Sequence, residues 1–187
     1  MILSDGTRLY SAKEFDAILR NKKSGDKGKI TLSDMILILL FAQKDKPVYG
    51  RTMMMKELFL VFKEVAPEHG IRTQDPKFIS YRFGPYSFTI MNILDSLWFA
   101  NFIDVEGRKN SKKERFVLTK EGKKEAAKSF KELPETFKRE LKERRIGWDQ
   151  LGTTGILRYV YLNYPKYKDR SQLKERYQDI IWGTGRA

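Results

Sequence analysis

The densest group of chemically active side chains in the sequence is a basic stretch between residues 108 and 115. Its bases are Arg108, Lys109, Lys112, Lys113 and Arg115, and Glu114 is its only acid. An exposed loop with this density of positive charge releases counterions when it meets nucleic-acid phosphates, and this release favours binding. Lysines at a loop tip also solubilise the loop and protect an edge strand. The stretch predicts phosphate binding, with solubilisation as the alternative.

A second group could imitate the metal site of a nuclease, which needs clustered acids and often a lysine near a strand. Its members are Asp104, Glu106, Glu121 and Lys123. Asp104 and Glu106 lie two residues apart in a predicted strand and point to the same side, an arrangement that also suits solvated pairing across a hairpin. Gly25 and Gly28 lie in a lysine-rich segment without a preceding strand, so they do not form a phosphate-binding loop. We expect no enzymatic activity and no cofactor.

Other residue types narrow the chemistry further. The sequence contains no cysteine, which excludes disulfides, thiolate metal sites and cysteine nucleophiles. His69 is the only histidine and lies in a predicted loop, where we expect it to be a surface residue. The run Met53–Met55 suggests adaptable core packing, because soft thioether metal sites need cysteine or histidine partners.

The charge of the whole chain favours a polyanionic partner. Its 187 residues carry a net charge of +13, and residues 101–187 alone carry +9 of it. The N-terminal residues lack the basic and apolar regions of a signal peptide. The longest apolar run, Met35–Ala42, is far shorter than the ~20 residues that span a bilayer. We therefore expect a cytoplasmic protein that does not contact a membrane, with double-stranded DNA as its partner.

The elements that must position these residues follow from local patterns. Three helices are predicted, over 32–43, over 51–65 (ending before Pro67) and from Ser87 to Ala100. A short strand over 78–83 ends in a Gly-Pro turn, and segments 102–106 and 114–119 form a β-hairpin with a basic tip. A charged helix over 120–145, broken at Pro134, and two shorter helices over 153–163 and 171–182 follow.

This order predicts a mainly helical fold with a small antiparallel β-hairpin: a winged helix-turn-helix core followed by C-terminal helices. We divide the chain into an N-terminal appendage (1–29, with a short helix over 11–20), a winged-helix domain (30–120) and a helical extension (121–187). In winged helices the third helix enters the major groove. Here that helix lacks lysine and arginine, but Thr89, Asn92 and Ser96 could reach bases or phosphates. At the start of the second helix Arg51, Thr52 and Lys56 are further candidate DNA contacts.

Several motifs resemble known families. The run Gly50-Arg-Thr-Met-Met-Met-Lys-Glu-Leu-Phe-Leu60 resembles a segment of many small archaeal and bacterial winged-helix proteins. Phe116-Val-Leu-Thr-Lys-Glu-Gly122 is similar to the end of the wing in PadR- and MarR-like regulators. Phe83-Gly-Pro-Tyr-Ser87 resembles the Gly-Pro signature of the Panacea domain of SocA-like antitoxins, and Leu157-Arg-Tyr-Val-Tyr-Leu-Asn-Tyr-Pro165 looks like a C-terminal segment of the same relationship.

The two resemblances imply different partners. The regulator families imply operator binding, commonly by a dimer, whereas the Panacea domain implies an antitoxin that neutralises a toxin by protein contact. Aromatic residues are dense near the C-terminus (Trp148, Tyr159, Tyr161, Tyr164, Tyr167, Tyr177 and Trp182). We expect these C-terminal helices either to form a homodimer or to pack back on the core. A transcriptional regulator is the leading interpretation, and a protein-binding antitoxin is the alternative.

Overall fold

The fold is organised around its first helix, α1 (Leu32–Ala42). The computed structural model describes residues 29–43, 46–108, 111 and 113–167. Thr31 caps α1 by accepting a hydrogen bond from the Asp34 backbone N–H. All residues of α1 except Asp34 and Phe41 are buried, because its sequence is apolar on every face. The prediction of a central core helix is confirmed.

The second helix follows a two-residue strand, β1 (Val48–Tyr49). It begins as α2 (Gly50–Leu60), widens into a π-helix over Val61–Val65 and ends with the turn Ala66–Glu68. The expectation that the helix stops before Pro67 is wrong. After the π-helix, proline stands at the beginning of a new helical turn, where its missing N–H costs little. Met53, Met54 and Met55 are buried in the core, as predicted.

A small hairpin connects this helix to the next one. Strands β2 (Ile79–Tyr81) and β3 (Gly84–Tyr86) pair antiparallel, with Ser80 opposite Pro85. The sequence predicted one strand ending in a Gly-Pro turn, and this is a second correction: Gly84 and Pro85 begin the returning strand. Gly84 has a positive φ of 83°, and a Cβ at this position would lie 2.9 Å from the Tyr161 ring. The hairpin is therefore packed against the C-terminal part of the chain, and local turn signals do not contain this information.

The third helix and the basic hairpin agree with the sequence prediction. Helix α3 (Phe88–Phe99) begins at Ser87, whose side chain accepts a hydrogen bond from the Ile90 N–H. Strands β4 (Ile103–Glu106) and β5 (Arg115–Leu118) follow, and β5 also pairs with β1, giving an antiparallel sheet in the order β1-β5-β4. The fold is mainly helical with a small antiparallel sheet, as expected. Its assignment as a winged helix stays a prediction.

Two further helices cover the core. Helix α4 spans Lys120–Lys131, and α5 spans Glu135–Asn163 with a sharp bend at Gly152. Pro134 precedes α5, so the predicted break at this proline is confirmed. Gly152 has φ 62° and ψ −176°, a combination that is almost restricted to glycine. In the ranges described, no helix combines the length and the apolar character needed to cross a membrane.

The described C-terminal aromatic residues pack back on the core. Trp148, Tyr161 and Tyr167 are buried, and Tyr164 packs edge-on against Phe59 of α2. One hydrophobic cluster contains side chains from α1 through Tyr167. The domain boundary at residue 120 and the homodimer stay predictions. Outside the described residues lie 1–28 of the predicted appendage (1–29), the helices expected over 11–20 and 171–182, and the residues Tyr177 and Trp182.

A buried arginine joins the C-terminal helix to the centre of the fold. Arg145 of α5 is completely buried, and its guanidinium donates hydrogen bonds to the carbonyls of Leu39, Leu40 and Lys46 at 3.0, 3.2 and 3.0 Å. It thereby satisfies acceptors at the end of α1 that have no partner within the helix. Its Nε lies 3.4 Å from a carboxyl oxygen of Glu57. Burial raises the pKa of Glu57 to about 8, against the opposing effect of Arg145.

We expect Arg145→Met to destabilise the protein by roughly 3–5 kcal/mol, because buried carbonyls lose their donor. Urea unfolding at pH 7 measures this difference. Arg139→Met on the exposed side of the same helix is the matched control, with an expected change within about 0.5 kcal/mol. A similarly small loss in Arg145→Met would contradict the structural role that we assign to the buried guanidinium.

Candidate nucleic-acid interface

Arg51 connects the three elements that carry most of the sequence-predicted site residues. Its Nε donates to Glu114 at 3.0 Å, and a terminal nitrogen lies 3.5 Å from Asp95 of α3. The guanidinium also lies against the Phe116 ring, and the Arg51 side chain is only 18% exposed. Arg51 therefore holds the start of α2, the middle of α3 and the base of the basic hairpin together. Its charge is already matched by two acids, so it positions the surface more than it attracts phosphate.

The polar face of α3 lies next to this bridge. Asn92 is exposed, while Thr89 and Ser96 are partly buried, and all three lie along one side of the helix. Ser96 donates its hydroxyl to the Asn92 carbonyl at 2.8 Å, which leaves the Asn92 side-chain amide as the most accessible polar group of the stripe. Thr52, at the start of α2, is also partly buried.

Among the described cations of the basic hairpin, one is already paired with an acid. Arg108 and Lys113 are exposed, but Arg115 forms a 2.9 Å ion pair with Glu106 across the strands. Lys109 and Lys112 lie outside the described residues. Gly107 turns the chain with φ 83°, and a Cβ on it would clash with the Lys113 carbonyl. The Arg115–Glu106 pair is about half exposed on both sides, so it is weak and can open in favour of a phosphate.

The prediction that Lys56 contacts DNA is wrong, because Lys56 is buried. Its side chain is 1% exposed, and its ammonium donates to the Pro85 carbonyl at 2.8 Å inside the protein. Burial lowers the pKa of Lys56 from 10.5 to about 7, because no acid compensates for the lost hydration. Lys56 anchors the β2–β3 hairpin to α2 and does not reach a nucleic acid. The sequence places it one helical turn after Arg51 and Thr52, and this spacing alone made it look like a surface residue.

His69 is also placed differently from the prediction. It ends the α2 region, and its ring is hydrogen-bonded to Glu140 at 2.8 Å and to Thr136 at 3.2 Å. The side chain is only 15% exposed, so His69 is not a free loop residue. The hydrogen bond from His69 and the nearby Arg144 hold the pKa of Glu140 below its usual value. These partners lie about 70 positions away in the sequence, which is why local analysis missed them.

The acidic residues considered for a nuclease do not assemble into a metal site among the residues that the structure describes. Asp104 and Glu106 are exposed on β4, and Glu106 is occupied by Arg115. Nowhere in the described ranges do three histidine, aspartate or glutamate side chains meet in a way that could hold a metal ion. Asp95 and Glu114 have roles that the sequence did not predict. Their signal was the presence of single acids within an otherwise neutral helix and a basic stretch.

Comparisons of the chain with protein-family models, curated proteins and solved structures found no match. The resemblances to PadR- and MarR-like regulators and to the Panacea domain therefore stay predictions. The residues themselves must carry any functional conclusion.

The buried amine of Lys56 gives a testable pH dependence. Unfolding returns its pKa to about 10.5, so the unfolded chain binds more protons than the folded chain between about pH 7 and 10.5. The contribution of Lys56 to the free energy of unfolding therefore increases with pH across this window. In Lys56→Met this increase disappears. The slope of the free energy of unfolding against pH is then lower than that of the unchanged protein by up to about 1.4 kcal/mol per pH unit.

Urea unfolding at several values between pH 7 and 10 measures the slope. Lys63→Met, an exposed lysine on the same helical segment, is the matched control and keeps the slope of the unchanged protein. If the Lys56→Met profile runs parallel to that of the unchanged protein, the ammonium is not desolvated in the folded state.

Proposed function

We propose that this protein is a cytoplasmic winged-helix regulator that binds double-stranded DNA, with the basic hairpin as its wing. The observation that carries the proposal is the pairing of β1 with β5, with Tyr49 opposite Arg115. This pairing brings the hairpin next to the start of α2 and, through Arg51, next to the polar stripe of α3. A helix followed at once by a two-stranded wing is the arrangement that winged-helix proteins use for DNA.

The expected division of labour follows from the charges. The exposed bases Arg108 and Lys113, with Lys109 and Lys112 from the sequence, bind phosphates and supply most of the affinity. The stripe Thr89, Asn92 and Ser96 faces the major groove, where the Asn92 amide can pair with adenine. Because α3 contains no lysine or arginine, it contributes to specificity more than to affinity. The affinity comes mainly from phosphate contacts and therefore depends strongly on salt.

A second candidate function is protein contact through α3, as the antitoxin resemblance implies. Phe88, Trp98 and Phe99 of this helix are each about half exposed (52%, 51% and 51%). Exposed aromatic residues on a neutral helix are typical of protein interfaces. DNA binding is favoured because the cations are grouped on the adjacent hairpin. A salt-dependent measurement separates the two functions.

We expect fluorescence anisotropy with a labelled 20–30-bp duplex to show micromolar or tighter binding at low salt, in line with non-specific protein–DNA affinities of roughly 10⁻⁴–10⁻⁶ M at higher salt. In the triple variant Lys109→Ala, Lys112→Ala, Lys113→Ala, the slope of log K against log salt decreases by about 2–3, because two or three phosphate contacts are lost.

The matched control removes the same charge from exposed lysines on the C-terminal helices, as Lys124→Ala, Lys131→Ala, Lys142→Ala. This control weakens binding only through net charge and leaves the slope nearly unchanged. Equal slopes for the two triple variants would show that the hairpin is not the phosphate contact. Absence of binding by the unchanged protein at low salt would overturn the DNA proposal and favour the protein-contact function.

A further inference from the structure

A groove along α5 shares no lining residue with the proposed DNA interface. Its volume is about 880 Å³, and one side is formed by a stripe of α5 that includes Thr136, Arg139, Glu143, Gly147 and Leu151. Tyr159, beyond the bend at Gly152, and His69 also line the groove. At 1.5 Å per residue the stripe is about 22 Å long, which corresponds to four helical turns.

A hydrogen-bonded network lies beside the stripe and needs no ligand to satisfy it. Glu64, in the π-helix, accepts hydrogen bonds from the hydroxyls of Tyr159 and Tyr164 at 3.0 and 2.8 Å and from Arg144 at 3.2 Å. Arg144 also bonds Glu140, which in turn bonds His69. Every polar group of this network has a partner, so the groove is preformed and binding requires little reordering.

The stripe itself carries two exposed charged groups. Arg139 and Glu143 are exposed, and neither forms an ion pair with any residue that the structure describes. Arg139 precedes Glu143 by one helical turn. Ion pairs along a helix are weaker in this order than when the acid comes first. Leu151 is 50% exposed, and a Cβ on Gly147 would meet no atom within 4 Å. The groove therefore presents a cation, an anion, an open glycine and an apolar side chain in sequence.

We infer that this groove docks one α-helix of another protein. That helix presents an acid to Arg139, a base one turn away to Glu143 and an apolar residue about two turns further to Leu151. Arg139 and Leu151 are about 18 Å apart along the axis, a distance that a helix covers but a single small molecule does not. Opposite charges in the stripe match a helix with both signs better than a polyanion. The open glycine leaves room for the partner helix to approach closely.

The test uses a phage-displayed library of alanine-rich 18-residue helices in which the positions facing the groove are randomised. We expect the full-length protein to enrich sequences with an acid and a base four residues apart. Anisotropy of the best synthetic peptide then gives its Kd. Gly147→Leu fills the groove and weakens binding at least tenfold, while leucine is a better helix former than glycine, so the fold is retained. Lys142→Leu, exposed on α5 outside the groove, leaves the Kd unchanged.

A double variant tests the charges directly. We expect the double variant Arg139→Glu, Glu143→Arg to lose affinity for the selected peptide. Its affinity for the peptide with the two charges exchanged should increase at least tenfold. The inference is overturned if no helix is enriched or if Gly147→Leu leaves the Kd unchanged. It is also overturned if sedimentation shows a dimer that Gly147→Leu dissociates, because the occupant is then a second copy. The hairpin lysine variant leaves peptide binding unchanged, so this inference and the DNA proposal fail independently.

Discussion

The rest of the structure depends on the buried guanidinium of Arg145. Helix α1 is apolar on all sides and Leu39 and Leu40 near its end are buried, so their carbonyls need donors from the protein. Arg145 supplies the missing donors to Leu39 and Leu40, and it bonds Lys46 just before β1. A neutral donor could satisfy one of these acceptors, whereas the planar guanidinium reaches all three. One side chain thereby fixes the end of α1, the start of β1 and the position of α5.

This constraint extends to the proposed interface. Once the chain before β1 is held, Val48 pairs with Phe116 and Tyr49 with Arg115, so the basic hairpin is attached to the core rather than suspended from it. Arg51 then adds α3 through Asp95. Inside the same helix, Lys56 and Glu57 are both buried, and their pKa values shift in opposite directions because each loses hydration. Charged groups in α2 therefore set the relative positions of elements and are not available to solvent.

Helix α5 serves two sides of the molecule at once. Phe137, Leu141, Arg145 and Trp148 recur at helical spacing on its buried side, whereas Arg139, Glu143 and Gly147 lie on its groove side. The bend at Gly152 lies between the stripe and Tyr159, and Tyr159 and Tyr164 bond Glu64 of the π-helix. The residues that line the groove thus come from both sides of the bend.

The sequence by itself determined the elements whose signals are local. Each of these signals is contained in a stretch of about a dozen residues. They are the apolar run of α1 with Thr31 as its cap, the Ser87 cap of α3 and the alternation on both sides of Gly107. Tertiary structure decided which ionisable side chains are buried and which groups they bond. Lys56, Arg51, His69 and Arg145 look like solvated side chains in the sequence, but their partners are 29 to 106 positions away. Whether such a group is paired or neutralised depends on what the fold places around it. A charge removed from water is stabilised by distant partners, as at Arg145, or is lost through a lowered pKa, as at Lys56.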